Sequence, residues 1–243
     1  MTDENRTPTA AELDAVTICR ELIRIDSSNY GDGSGPGERE AAEYVMGLLT
    51  EVGYDPVYFE SADRRANVVV RIPGADPARD ALVVHGHLDV VPAEASEWKM
   101  DPFGGEEMDG MIWGRGAVDM KDMDAMILAV VRDMKRTGWQ PARDLVIAFF
   151  ADEEHGGTYG ARWAVDHKPE LFEGATEAIS EVGGYSVEVN GRRAYLLQTA
   201  EKGIAWATLR ATGTAGHGSM TNDDNAVTRV AEAVARLGTH EFP

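Results

Sequence analysis

Six acidic or imidazole side chains follow apolar runs that are typical of buried strands. The runs are ALVVHGHLD, GMIWGRGAVDM, DLVIAFFADEEHGG and EAISEVGG, and the side chains are His87, Asp89, Asp119, Glu153, Glu154 and Glu181. A carboxylate at the mouth of a buried strand costs free energy unless a cation or hydrogen bonds receive it. Several such acids converging with a histidine indicate a site for metal ions.

Each of these residues also has an ordinary structural explanation. His87 can be a packed, hydrogen-bonded core residue, and Asp119 can cap the helix that is predicted to follow it. Glu153 and Glu154 can be solvated acids of a turn, and Glu181 can be a surface cap. The metal interpretation fails only if all of these explanations hold together.

Spacing within two of the segments suggests which residues bind metal, which orient a ligand and which transfer protons. His85 and His87 share one face of a strand, and Asp89 follows on the same side if the strand continues. A metal-bound histidine usually has a carboxylate that orients its other ring nitrogen, so HGHLD can supply the ligand or that partner. Because Glu153 and Glu154 are adjacent, their side chains point differently, and one can bind metal while the other handles protons.

Composition places limits on the class of protein. The chain has 243 residues, of which 43% are hydrophobic, so it can form a real core and is predicted to be one large domain or one domain plus part of another. A net charge of -19 argues against nucleic acid and anionic membrane surfaces as partners.

The predicted location is the cytoplasm. The single cysteine, Cys19, lies on the apolar side of a predicted helix and is expected to be a small buried hydrophobe, which leaves no disulfide within the chain. The first residues lack the basic and apolar regions of a signal peptide, and no apolar stretch approaches the length of a membrane span.

Strands alternating with helices predict an α/β layered fold. Helices are predicted over 9–25, 38–52, 120–135 and 159–167, with strands between them. The glycine-rich turn after the first helix follows a helix rather than a strand and lacks phosphate-loop spacing, which disfavours nucleotide binding. The sequence contains no GxSxG motif, the turn that presents the nucleophilic serine in α/β-hydrolases, which argues against a serine hydrolase. After about residue 201 a strand over 202–214 and a further helix predict the start of a second domain.

Five motifs in order resemble a known family. HGHLDVVP, GRGAVDMKD, DEEHGG, SEVGG and GTAGHGSM are similar to the motifs of the zinc-dependent aminoacylase, carboxypeptidase G, acetylornithine deacetylase and succinyl-diaminopimelate desuccinylase family, across nearly the whole chain. The resemblance implies a three-layer α/β sandwich with a mixed, largely parallel sheet flanked by helices. Residues 1–200 would be the metal-binding catalytic domain, and 201–243 the beginning of a smaller α+β lid or dimerisation domain.

The resemblance also implies a set of metal ligands. His87 would bind one metal ion and Glu181 would complete its shell. Asp119 would bridge two ions, and Glu154 would bind the second. The peptide bond between Asp119 and Met120 would be cis. Nitrogen and carboxylate ligands suit zinc, with cobalt or manganese able to substitute.

Three further residues receive catalytic roles from the resemblance. Glu153 would be the general base and acid, and Asp89 would orient His87. His217, in AGHGSM, would reach a neighbouring subunit's active site and stabilise the tetrahedral oxyanion, although taken alone it could cap the helix that follows. The implied reaction is hydrolysis of an amide bond in a peptide or an N-acyl amino acid. Two divalent ions would lower the pKa of a shared water and polarise the carbonyl.

The sequence departs from the family at its end. The family has one more ligand, a histidine that would lie beyond residue 243, and His240 stands in a different context. The chain therefore looks like the N-terminal portion of a longer, homodimeric enzyme, and by itself it is expected to bind about one metal well and to be a weak or inactive catalyst. The alternative is a truncated, non-catalytic metal-binding or interaction protein. The residues favour neither a peptidase nor a deacylase.

Overall fold

A computed structural model of the chain describes residues 6–181, 186–195, 203 and 207–241. The chain divides into two compact units, Met1–Leu196 and Leu197–Pro243. The helices in the described residues are α1 (Ala10–Arg24), α2 (Arg39–Glu51), α3 (Lys121–Thr137), α4 (Ala161–His167) and α5 (Ala226–Gly238). The strands are β1 (Val57–Ala62), β2 (Arg65–Ile72), β3 (Ala81–His87), β4 (Glu106–Met108), β5 (Met111–Trp113), β6 (Leu145–Phe150), β7 (Ala175–Ile179), β8 (Ser186–Val189) and β9 (Arg192–Tyr195).

The central sheet is mixed, as the family resemblance implied. Its strand order is β1-β2-β6-β3-β7. β2 is antiparallel to both of its neighbours, whereas β3 is parallel to both β6 and β7. The carboxyl ends of β6, β3 and β7 therefore meet at one edge of the sheet, which is where open α/β sheets place their functional groups.

Helices cover both faces of the sheet, which confirms the predicted three layers. Alternate strand residues such as Val68 and Phe149 pack with the apolar faces of α1, α2 and α3. The residues between them, such as Val69 and Ala148, pack on the other face with Ala164 of α4. Because both faces are covered, the central strands consist of continuous apolar runs rather than alternating ones.

The first helix begins where the sequence predicted. Thr9 is the N-cap of α1, and its hydroxyl accepts a hydrogen bond from the Glu12 backbone while the Glu12 carboxylate accepts one from Thr9. This reciprocal pair satisfies two donors at the start of the helix. Cys19 is buried on the inner face of α1, as expected.

The second unit differs from its prediction in one element. Helix α5 is present, and the Asn225 side chain caps it by accepting from the backbone N–H groups of Val227 and Thr228. The predicted strand over 202–214 was wrong for the residues that are described there, 203 and 207–214, which carry no strand. A strand needs a neighbour to pair with, and the described part of this unit offers none. Among the described residues, none of the helices combines the length and apolar character that spanning a membrane requires.

Candidate metal centre

The carboxyl edge of the sheet brings the predicted site residues of the first unit together. His87 is the last residue of β3 and pairs in register with Phe150, the last residue of β6. The chain leaving β6 forms a short 3-10 helix, Glu153–His155, that carries both adjacent glutamates. Glu181 follows β7 by two residues. Parallel pairing thus converts separate apolar runs into one cluster of side chains.

His87 lies at the centre of this cluster. Its ring is 2% exposed, and Nδ1 donates a hydrogen bond to the backbone carbonyl of Asp89 at 2.9 Å. The other ring nitrogen, Nε2, lies 3.0 Å from Asp119 Oδ1 and 3.1 Å from Glu181 Oε2. His87 is therefore a buried core residue on one side and a ligand-type nitrogen facing carboxylates on the other.

Asp89 performs more than the orienting role that the family resemblance implies. Its carboxylate Oδ1 is 3.4 Å from His87 Nδ1, farther than its own backbone carbonyl. The two carboxylate oxygens instead accept hydrogen bonds from the backbone N–H groups of Glu153 at 3.0 Å and Glu154 at 3.1 Å. Asp89 therefore fixes the turn that carries the two glutamates as well as the histidine.

Asp119 does not cap the helix that follows it. The N-cap position of α3 is Met120, which makes no side-chain cap, and the peptide bond between Asp119 and Met120 is cis, as the resemblance implied. The next residue, Lys121, is buried, and its Nζ donates to the carbonyls of Leu22 at 2.9 Å and Ile25 at 2.7 Å. These bonds attach the start of α3 to the end of α1 and leave the Asp119 carboxylate pointing at His87.

Two overlapping groups of donors have the spacing of metal ligands. One consists of His87, Asp119 and Glu154, the other of His87, Glu153 and Glu181, with ligand atoms within 4.8 Å of one another in each group. The Glu154 Oε1 atom is buried and has no hydrogen-bond partner in the described part of the chain. A buried carboxylate oxygen without a donor is costly, so this cluster fits a cation better than it fits the protein alone.

The electrostatics of the cluster lead to the same conclusion. Partial burial and the charge of Asp119 raise the pKa of Glu154 to about 7. Burial alone would lower the pKa of His87, but the hydrogen bond to Asp89 and the surrounding negative charges raise it to about 10. Both shifts reflect the crowding of negative charge around His87, which a bound cation would relieve.

Sequence reasoning missed three residues near the centre. Asn29 and Asp152 are buried, and the Asn29 amide bonds the carboxylates of both Asp89 and Asp152. Asp124 on α3 is fully buried beside Gly86, where an added Cβ would lie 2.0 Å from Asp124 Oδ1. Asp152 was detectable as the first of the three consecutive acids in ADEE, but Asn29 lies in a turn where no sequence pattern distinguishes it.

His217 belongs to the second unit and is exposed. Its Nδ1 lies 2.8 Å from Ser219 Oγ and 3.3 Å from the Ser219 backbone nitrogen. Asn225 caps α5, so His217 is not the helix cap that its sequence context allowed.

The sequence profile of Peptidase family M20/M25/M40 matches residues 83–243, which is more than half of the chain. The chain belongs to this family. The predicted resemblance is thereby confirmed, since the M20 match spans every motif from HGHLDVVP to GTAGHGSM.

Two curated relatives show which proteins this M20 chain is similar to. It is 31% identical over 234 residues to succinyl-diaminopimelate desuccinylase of Rhodospirillum centenum, covering 93% of this chain and 57% of the relative. It is 28% identical over 227 residues to aminoacylase-1 of Sus scrofa, covering 92% of this chain and 53% of the relative. The chain thus spans about half the length of the curated relatives it matches.

A solved M20 structure supports the fold. The M20 family metallo-carboxypeptidase Sso-CP2 from Sulfolobus solfataricus aligns with a TM-score of 0.58 at 20% identity, covering 69% of this chain and 37% of that one. At this level of identity the likeness concerns the fold, and it agrees with the layered mixed sheet described above.

Proposed function

We propose that this chain forms the metal-binding part of a hydrolase that cleaves an amide bond in a peptide or an N-acyl amino acid. The observation that carries this proposal is the meeting of one buried imidazole nitrogen with four carboxylates at the carboxyl edge of the sheet. No lysine or arginine in the described part of the chain forms an ion pair with these acids. Family membership supports the reaction class.

These donors would hold one divalent ion and contribute to a second. His87, Asp119 and Glu181 would hold one, and Asp119 and Glu154 would hold the other. Imidazole nitrogen and carboxylate oxygen favour zinc, with cobalt or manganese as substitutes. When bound, such ions lower the pKa of a shared water and polarise a carbonyl oxygen.

Glu153 is the proposed general base. Its side chain is about half exposed and its Oε2 lies 3.8 Å from His87 Nε2, which places it beside the cluster and open to solvent. Burial, followed by the negative charges of Glu181 and Asp89, raises the pKa of Glu153 above its usual value, which is the direction that suits a general base. It takes a proton from the attacking water and delivers it to the leaving nitrogen. The products are an amine and a carboxylate.

His217 is proposed to act from a neighbouring subunit. An imidazole N–H can donate to the oxyanion of a tetrahedral intermediate. This role requires a homodimer. The same proposal assigns residues 1–200 to the catalytic domain and residues 201–243 to a lid or dimerisation domain. A cytoplasmic location belongs to the same proposal.

The test is an assay of the protein that carries this chain, expressed at its natural length. A panel of dipeptides and N-acyl amino acids is offered to the protein as prepared, after chelation, and after zinc is restored. The proposal predicts hydrolysis of at least one panel member, its loss on chelation and its return with zinc. Hydrolysis that survives complete metal removal contradicts the proposal, and metal binding without any hydrolysis supports the non-catalytic alternative.

A further inference from the structure

The turn that carries Glu153 and Glu154 is held by two acids that are themselves bound to a third residue. Asp89 accepts from both glutamate N–H groups, as described above. Asp152 directly precedes Glu153, has a left-handed backbone with φ of 66°, and accepts a hydrogen bond from the Tyr159 backbone at 3.0 Å. Because the direction of the chain changes at Asp152, its position decides where both glutamates point.

One side chain connects these two acids. The Nδ2 group of Asn29 donates to Asp89 Oδ2 at 2.8 Å and to Asp152 Oδ1 at 3.0 Å. Its Oδ1 accepts from the Gly31 backbone at 2.9 Å and from Arg65 Nη2 at 3.0 Å. An asparagine side chain offers two N–H donors and two acceptor lone pairs, so all four positions are used.

The chemistry of the neighbours requires an amide at this point. Both partners of Nδ2 are carboxylates, which only accept, and both partners of Oδ1 are N–H groups, which only donate. An aspartate would place a third carboxylate against two others. Arg65, the nearby cation, is already paired with Glu38 at 2.6 Å and is 3.9 Å from Asp152.

The backbone of Asn29 is fixed independently of its side chain. Its N–H donates to the Val90 carbonyl at 2.9 Å, next to an isolated parallel bridge between Ser28 and Val90. Asn29 is 3% exposed. The loop after α1 is thus anchored to the chain that continues from β3, and the amide is presented to both acids from a rigid position.

We propose that Asn29 is a positioning residue for the metal centre, whose amide clamps Asp89 to Asp152 and thereby fixes the turn bearing Glu153 and Glu154. This inference rests on the proposed function. It concerns a residue outside the five family motifs and outside the two donor groups. Partners that orient metal ligands typically change metal affinity by 10–100-fold when they are removed, although they never touch the ion.

The test compares Asn29→Ala with Ser27→Ala in the chain of 243 residues. Ser27 is a matched control, because it is buried in the same loop and its hydroxyl donates one buried hydrogen bond to the Leu88 carbonyl at 2.6 Å. Neither substitution removes a metal ligand. The readouts are zinc affinity by competition with a chromophoric chelator, the visible absorption spectrum of the cobalt-loaded chain, and the thermal unfolding midpoint.

The expected result distinguishes a role in positioning the metal ligands from a role in the stability of the fold alone. Asn29→Ala weakens zinc binding by about 10–100-fold and alters the cobalt spectrum, whereas Ser27→Ala stays within about three-fold of the wild type and keeps its spectrum. Asn29→Ser serves if the alanine variant does not fold. The serine hydroxyl has one hydrogen to donate and cannot clamp two carboxylates, so the same changes are expected.

Two results would overturn the inference in distinguishable ways. If both Asn29 variants match Ser27→Ala in affinity and spectrum while the wild type binds metal, the clamp is wrong and the proposed function stands. If the wild-type chain binds neither zinc nor cobalt, the metal proposal fails and the clamp fails with it.

Discussion

The inner acids, Asp89 and Asp152, and the outer acids, Asp119, Glu153, Glu154 and Glu181, lie at the same edge of the sheet but differ in what satisfies them. Each inner acid is at most 3% exposed, and both of its carboxylate oxygens accept hydrogen bonds. Because every oxygen of these buried carboxylates has a hydrogen-bond donor, the inner acids do not require a bound ion.

The outer acids are arranged in the opposite way. The Asp119 side chain is 65% exposed and that of Glu181 is 27% exposed, and both carboxylates lie near His87 Nε2. Glu154 keeps one buried oxygen without a partner in the described residues. The role of each carboxylate at this edge therefore depends on which groups donate hydrogen bonds to it. Hydrogen-bonded acids hold the turn and the strand ends in place, whereas the acids gathered around one imidazole are the proposed ligands of a cation.

The largest expected effect comes from Asp119, which belongs to the donor sets proposed for both ions. Asp119→Ala should leave a chain that retains no zinc through extensive dialysis, because each proposed position loses a carboxylate. Elemental analysis measures this. Glu106→Ala, which removes an exposed acid outside the cluster, should retain zinc as the wild type does. Equal retention by both variants would remove Asp119 from the site.

Glu153 allows the outer acids to be divided further. Glu153→Gln keeps the shape of the side chain but cannot accept the proton from water, so kcat should fall about 10²–10⁴-fold in the protein at its natural length. Zinc content should stay unchanged. Activity within a few-fold of wild type, with metal retained, would exclude Glu153 as the base.

An inner acid should matter for stability even when no metal is present. Asp89→Asn replaces an acceptor oxygen with an N–H group that faces backbone N–H donors. The free energy of unfolding of the chelator-treated variant, measured in urea, should be about 2–4 kcal/mol below that of the wild type. This is the range for breaking buried, charge-assisted hydrogen bonds. An unchanged unfolding free energy would mean that the inner acids are not satisfied as described.

An outer acid should show the smallest effect and the opposite sign. In the metal-free chain, Glu154→Gln removes a negative charge from a crowded, half-buried group, so unfolding at pH 8 should cost about 0.5–1 kcal/mol more than for wild type. Added zinc should reverse the order, because the wild type binds it more tightly and ligand binding stabilises the folded state. A loss of stability without metal would place Glu154 among the inner acids.

The sequence predicted the positions of the ligand-type residues better than their partners. His87, Glu153 and Glu181 follow apolar runs that can be recognised as β3, β6 and β7, and parallel pairing brings their ends together. What the sequence could not reveal is that Asn29 bonds Asp152, 123 positions away. Such contacts depend on how loops pack against the sheet, and no local pattern of residues predicts them.

Local patterns left one residue ambiguous and gave one wrong prediction. Asp119 stands before a helix in a typical capping position, but the chain reaches α3 through Met120 and sends the carboxylate toward His87. The alternation over 202–214 predicted a strand that its described residues do not form. Both cases show tertiary context overriding a local propensity, because caps and strands form only where their partners are available.

Whether the outer acids bind a cation around His87 can be seen by diffraction at the zinc absorption edge, from crystals of the chain grown with zinc. We expect an anomalous peak about 2.0–2.1 Å from His87 Nε2, with oxygens of Asp119 and Glu181 at about 2.0–2.2 Å from the ion. Zinc bound elsewhere on the chain, with the outer acids instead paired to protein cations or solvent, would contradict it.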